Sequence, residues 1–236
     1  MKLKVSSYNI LHCEDFLKEK IDYDAFAKVI KAFDSDVVGM NEVHGEGSLE
    51  EYKEQAEILG KKIGYNYYFA KACELDGGNP FGNAMLSRLP VKECVTIPIP
   101  DPDPKGYDGY YETRCVLKMV TATDPEITFL ITHFGLNPDE QENAIKVVLD
   151  NIPEKRCVFM GDLNVYHGDK ILDPIREALA DTVDAAPELP LTFPSDKPDR
   201  KIDYIFVSRD IKVNSFKAEQ VVLSDHLPVS AEIEVE

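Results

Sequence analysis

The chain has 236 residues, 44% of them hydrophobic and 29% charged, which is enough to bury a real core. Its 26 Lys and Arg stand against 43 Asp and Glu. The resulting net charge of −17 repels polyanions over most of the surface and argues against a non-specific nucleic-acid binder. The cysteines Cys13, Cys73, Cys94, Cys115 and Cys157 are widely spaced and lack CxxC or zinc-knuckle patterns, so they read as free thiols rather than a disulfide framework or structural zinc. No apolar run of about 18 residues and no leader-like segment occurs, so no membrane span is implied and a cytoplasmic protein is expected.

In chain order, "KLKVSSYNI" alternates as a strand. Phe26, Val29, Ile30 and Phe33 then follow helical spacing with one buried stripe. "DVVGMNEV" reads as a short apolar strand, and Leu49, Tyr52, Ala56 and Leu59 predict a second helix. From Tyr65 to His133 the stretches "YNYYFAKA", "FGNAMLS", "VKECVTIPI", "TRCVLKMV" and "ITFLITHF" predict hairpins and meanders. Within them, the acidic, proline-rich "PIPDPDPKGYDGYYE" reads as a mobile surface segment.

"NPDEQENAIKVVLDNI" carries the signals of a helix start: Asn137 as N-cap, Pro138 at the first helical position and Glu140 where a capping-box acid reaches back. After it come the strand "RCVFMGDLN", a short helix near Pro174 to Ala180, and the strands "KIDYIFVS" and "IKVNSFKAEQVVL". The final strand sets Val229, Ala231, Ile233 and Val235 on one face. No repeat and no long linker divides the chain. The pattern predicts an α/β (α+β) domain over residues 1–236, with two sheets packed together and covered by helices.

Several strands end in a polar residue that their own pattern does not need. Asn9 closes "VSSYN", Glu42 closes "VVGMNE", His133 closes "FLITH", and Asp162 and Asn164 follow "CVFMGD". Asp203 interrupts "IDYIF", while Asp225 and His226 precede the last strand. Any one of these suits a turn or a half-buried edge. Together they deliver carboxylates, amides and imidazoles to element ends, where active sites are often built. Oxygen donors without Cys favour Mg²⁺ or Mn²⁺ over zinc. No P-loop, GxSxG elbow or HExxH occurs, and metal-assisted phosphoester hydrolysis fits the parts best.

The motifs "SYNI", "NEV", "GNAMLSRLPV", "THFGLN", "GDLN", "IDYIF" and "SDHLPV" stand in the order found in the endonuclease/exonuclease/phosphatase superfamily, which the chain resembles from Tyr8 to Val229. The resemblance implies a four-layer αββα sandwich of two mixed or antiparallel sheets flanked by helices. It also implies a metal-dependent hydrolase acting on phosphoester bonds. Glu42 takes the position of the principal metal carboxylate, with Asn9 and Asp225 assisting at the metal. Asp162 takes the position that orients and deprotonates water, Asn164 the one that bonds a phosphate oxygen, and His226 the one that stabilises phosphoryl charge. Asp203 corresponds to the partner that fixes His226, and His133 to a residue at the phosphate or leaving group. Asn83 and Arg114 fall where cleft residues that bind substrate stand.

Two departures are visible. Asn41 stands where Gln is frequent, and "GDLN" replaces "GDFN". His44 and His167 are expected on surface loops, and His12 in a structural or solvated position. The substrate is expected to be a phosphoester: a small molecule, a phospholipid headgroup or a nucleic acid. The alternatives are a DNA or RNA endo- or exonuclease, and a non-catalytic relative that binds a phosphorylated ligand or a partner.

Overall fold

A computed structural model describes residues 1–236. Strand β1 (Lys2–Asn9) leads to a two-residue hairpin, β2 (Glu14–Asp15) and β3 (Lys20–Ile21), and then to helix α1 (Tyr23–Ala32) and β4 (Val37–His44). Helix α2 (Gln55–Ile63) precedes β5 (Asn66–Leu75), β6 (Asn79–Ser87), β7 (Val91–Pro98), β8 (Cys115–Thr121) and β9 (Thr128–Thr132). Helix α3 (Pro138–Asn151), β10 (Cys157–Asp162), α4 (Asp173–Ala178), β11 (Ala180–Asp181), β12 (Asp203–Val207), β13 (Lys212–Ala218) and β14 (Val229–Glu234) complete the chain.

Two six-stranded sheets result, in the orders β13-β14-β1-β4-β6-β5 and β11-β12-β10-β9-β8-β7. Each contains one parallel pair, β1 with β4 and β9 with β10, among antiparallel neighbours. Period-two alternation decides what each strand face meets. Val5, Val37, Met85, Phe129, Ile131, Met160 and the Val229–Val235 stripe fill the seam between the sheets. The opposite face of the first sheet, with Tyr8, Met40 and Leu86, packs on Phe26, Ile30 and Leu59 of α1 and α2. The outer face of the second, with Phe159 and Phe206, meets Ala144, Ile145, Val148 and Ile175 of α3 and α4. The layers therefore run helix, sheet, sheet, helix.

Gly39 permits the close approach of the sheets: a Cβ there would stand 2.7 Å from Met160 Sδ and 2.8 Å from Ile131 Cγ1.

Local signals were realised unevenly. The capping box of α3 forms, Glu140 reaching back to the Asn137 backbone. Helix α2 begins later than the spacing of Leu49 and Tyr52 predicts. Asn79 Oδ1 accepts from the backbone N–H of both Ser48 and Leu49 and turns the chain there, so helical bonding starts only at Gln55. Strand β13 likewise stops at Ala218, and "EQVVL" runs on as a loop toward His226. The proline-rich segment has no regular structure, but it is tied to the start of α3. Tyr110 O accepts from Asn137 Nδ2, Tyr111 Oη donates to Asp139, and Glu112 N donates to Glu140.

Candidate functional site

The parallel pairs of both sheets end at one edge of the seam, and the polar residues of the sequence gather there. Asn9 ends β1, and His133 follows β9 directly. Asp162 ends β10 opposite Asp203, which opens β12. An irregularity in β4 between Met40 and Val43 breaks the alternation at Asn41 and Glu42, with Glu42 at φ +56°. That break lets consecutive residues serve different purposes. Asn41 turns into the seam, where Nδ2 donates to Thr132 O at 2.9 Å and Asn83 Oδ1 at 2.8 Å, and Oδ1 accepts from Asp162 N at 2.9 Å. Glu42 lines the cleft outside.

Asp162 is the centre of the constellation. Its Oδ2 lies 3.1 Å from Asn9 Nδ2, 3.4 Å from His133 Nε2 and 3.5 Å from His226 Nε2, while Oδ1 accepts from Asn164 N at 3.0 Å. Burial pushes its carboxyl up to about 7, against the lowering pull of His226. His226 is the opposite case. Burial disfavours its charge, yet Asp203, whose Oδ2 is 2.9 Å from Nδ1, together with Asp162 and Asp225, raises it to about 10. It is an imidazolium at neutral pH, with its ring packed 4.8 Å from that of Phe193.

The cleft above these groups measures about 310 Å³. Glu42 and Asp225 stand on its wall, and burial followed by the charge of Asp225 raises the Glu42 carboxyl above its usual range, opposed by the Asn9 Nδ2 bond at 2.9 Å. Two half-buried carboxylates on one cleft wall repel each other and could be bridged by a cation, and an all-oxygen set suits a hard divalent ion. A tighter cluster, Asp162, Asp203 and His226, has facing atoms all within 4.8 Å of one another. There the His226–Asp203 bond already uses one carboxylate and one ring nitrogen, which leaves Glu42 and Asp225 as carboxylates that could hold a cation. Asn9 Nδ2 donates to Glu42 and Asp162, and its Oδ1 accepts from Leu11 N at 3.1 Å.

Across the cleft, Arg114 Nη1 lies 3.0 Å from His133 Nδ1 and 2.6 Å from Glu112 Oε1. Burial, then the charges of Arg114 and His226, hold the His133 imidazole well below its ordinary range, so it is neutral. Asn164, at φ +49°, donates from Nδ2 to Phe134 O at 3.0 Å.

The structure thus brings Asn9, Glu42, Arg114, His133, Asp162, Asn164, Asp203, Asp225 and His226 together. Asn83 is elsewhere: it is buried beneath the cleft, with Oδ1 bonded to Asn41 and Nδ2 to Cys115 O at 3.0 Å, and is not on the cleft wall. His44 is not on a surface loop either. It is buried at the end of β4, stacked between His12 (4.8 Å) and Tyr52 (4.0 Å), because the turn held by Asn79 folds Tyr52 over it. His167 lines a separate recess of about 410 Å³ with Tyr166 and Arg200, where none of the gathered acids stands. Sequence reading missed Phe193, Glu112 and the rim residues Tyr110 and Leu136. Of these only Tyr110, an exposed aromatic of the proline-rich segment, carried a signal in the sequence.

A model of the Endonuclease/Exonuclease/phosphatase family matches residues 6–226. The chain belongs to that family. Members of the family are hydrolases acting on phosphoester bonds. This family member is similar to an endonuclease/exonuclease/phosphatase from Beutenbergia cavernae, at 24% identity and TM-score 0.85, over 99% of this chain and 72% of that one. It is similar to a Bacteroides thetaiotaomicron mannosyl-6-phosphatase at 20% identity and TM-score 0.78, over 98% and 99%. D. rerio TDP2 complexed with single strand DNA product follows at 16% and 0.71, over 99% of each chain. At these identities the solved structures speak for the fold alone. Among curated proteins none matches. No helix of this family member is long and apolar enough to cross a membrane.

Proposed function

We propose that the protein, with residues 1–236 acting as one domain, is a Mg²⁺- or Mn²⁺-dependent phosphoester hydrolase working by water attack on phosphorus. The observation that carries this reading is the position of Asp162, a buried carboxylate whose Oδ2 faces both His133 Nε2 and His226 Nε2 at the floor of an acidic cleft and whose burial favours binding a proton. Its proton-accepting strength suits a general base for water. Glu42 and Asp225 would hold the divalent ion, which supplies Lewis-acid neutralisation of phosphoryl charge when bound. Asn9 orients Glu42 and Asp162 toward each other. His226, kept charged by Asp203, stabilises negative charge growing on the phosphoryl oxygens, and Asn164 holds one such oxygen through its amide.

A compact phosphoester is favoured over a long polynucleotide. Glu42, Glu112, Asp162 and Asp225 all line the cleft, whose one arginine, Arg114, is already paired with Glu112. With the net charge of −17, such a wall repels a continuous phosphate backbone. The similarity to a mannosyl-6-phosphatase agrees with a small substrate.

The test is hydrolysis of p-nitrophenyl phosphate and bis-p-nitrophenyl phosphate with Mg²⁺ or Mn²⁺. Plasmid DNA, RNA, sugar phosphates, inositol phosphates and sphingomyelin form the second panel. Turnover abolished by EDTA and by Asp162→Ala supports the hydrolase. Absence of turnover with every divalent ion would leave a phospho-ligand binder, and preferential cleavage of DNA or RNA would leave a nuclease.

A further inference from the structure

His133 and His226 flank the same oxygen of Asp162, yet their outer nitrogens meet opposite partners. For His226 the partner at Nδ1 is a carboxylate, 2.9 Å away. For His133 it is a guanidinium, with Arg114 Nη1 at 3.0 Å. Arginine has only donors, so His133 Nδ1 must be the acceptor, and the single ring proton belongs on Nε2.

On the far side of the ring, Nε2 lies 3.4 Å from Asp162 Oδ2, which can accept its proton, and 3.0 Å from Asn164 Nδ2, a donor that competes for the same nitrogen. The orientation of that amide is set independently, because Nδ2 donates to Phe134 O. With the proton on Nε2, ring and amide meet as two donors whose present acceptors are Asp162 Oδ2 and Phe134 O, and a phosphoryl oxygen reaching both nitrogens would relieve that contact.

Arg114 is itself held in place. It directly precedes β8, its side chain is only 10% exposed, and Glu112 Oε1 stands 2.6 Å from the same Nη1. Its Nε is buried without a partner, so the guanidinium has spare donor capacity.

We propose that Arg114 is a positioning residue that fixes His133 in the Nε2–H tautomer, making this ring a hydrogen-bond donor to the phosphoryl group and not a second base beside Asp162. The functional half of this inference rests on the phosphoester-hydrolase reading; the tautomer itself does not. Arg114 touches no reacting atom in this role. It acts through the ring it caps, while His133 and Asn164 form the paired donors.

Two-bond ¹H–¹⁵N correlation spectra of the full chain, labelled at histidine, read the tautomer directly, with His133→Gln identifying the signal. Wild type should show a pyridine-like Nδ1 and a pyrrole-like Nε2. Arg114→Met removes the donor and should bring in the Nδ1–H form, and Arg114→Lys should restore the wild-type pattern. With p-nitrophenyl substrates, Arg114→Met should lower kcat about tenfold or more, the worth of one well-placed hydrogen bond, and Arg114→Lys should recover it. A pyrrole-like Nδ1 in wild type, or an unchanged spectrum in folded Arg114→Met, overturns the proposal. Should Arg114→Met fail to fold, the wild-type and Arg114→Lys spectra decide alone. A wild-type chain that shows the expected tautomer but hydrolyses nothing refutes the hydrolase reading and leaves the positioning of His133 standing.

Discussion

Asp162 and His226 are assigned opposite electrostatic tasks by their neighbours, and each assignment can be checked. Asp162→Asn keeps the shape and the bond to Asn164 N but loses the base. It should cut kcat by about 10²–10⁴, the range for general-base catalysis, with an unchanged far-UV spectrum. His226→Ala should fall by a similar factor.

The titration of His226 is also a stability statement. Its ordinary value of 6.5 is raised to about 10, so its pairing stabilises the metal-free fold fully below about pH 6.5, and the contribution is lost as pH rises through about 10. Lys201 acts in the other direction. Its ammonium, over the Tyr204 ring and donating to Asp203 O, is lowered by burial from 10.5 to about 7. The unfolded chain keeps a proton that the folded chain releases, so this group's contribution to stability grows between those values. In Lys201→Met the counterweight is gone, and the unfolding free energy should decline from pH 7 to 10. Adding Asp203→Asn should flatten that decline, and an identical slope in the double variant would refute the pairing as its source.

At the scale of elements, two short features govern where the site residues point. The irregularity in β4 turns Asn41 inward, and Asn41 binds Thr132 O and Asp162 N of the opposite sheet. Asn41→Leu would leave those buried groups unpaired at about 1–3 kcal/mol each. Its denaturant midpoint should drop clearly, and kcat should drop with it because the end of β10 is released. Gly161 is the second feature. It holds φ +152°, and a Cβ there would stand 1.8 Å from Thr132 O. Gly161→Ala should force β9 from β10 and cost several kcal/mol, measured by the same denaturant titration, with loss of soluble yield as the extreme outcome.

Much of the element order was legible because periodicity is local: the β14 stripe and the α3 capping box needed only their own residues. The start of α2 was not, because Asn79, some thirty residues on, determines it. The same divide runs through the site. Glu42, Asp162, Asn164 and His226 were visible as polar interruptions at strand ends. The Arg114–His133 contact, the ring of Phe193 on His226 and the burial of His44 arise from chain crossings that no spacing encodes.

For the molecule as a whole, charge is the dominant global property. At −17, with Glu42 and Asp225 among four carboxylates lining one cleft, the metal-free protein carries a local repulsion that a bound divalent ion would relieve. Mg²⁺ or Mn²⁺ should therefore raise the thermal midpoint, by an amount growing with concentration and equivalent to about 2.7 kcal/mol at a hundredfold excess over Kd. EDTA should reverse the gain, and Glu42→Gln with Asp225→Asn should abolish it. An equal shift in that double variant would place the ion elsewhere.

The layered build has one last consequence. Asn9, Glu42 and His226 belong to one sheet and its adjoining loop, whereas His133, Asp162 and Asp203 belong to the other. Neither leaf owns a complete set of these groups, so the proposed hydrolysis requires the greasy joint between them to stay shut. Turnover should then serve as a live gauge of that joint: any solvent or heat treatment that lets the leaves slip by a fraction of a bond length should silence the enzyme before its strands unravel.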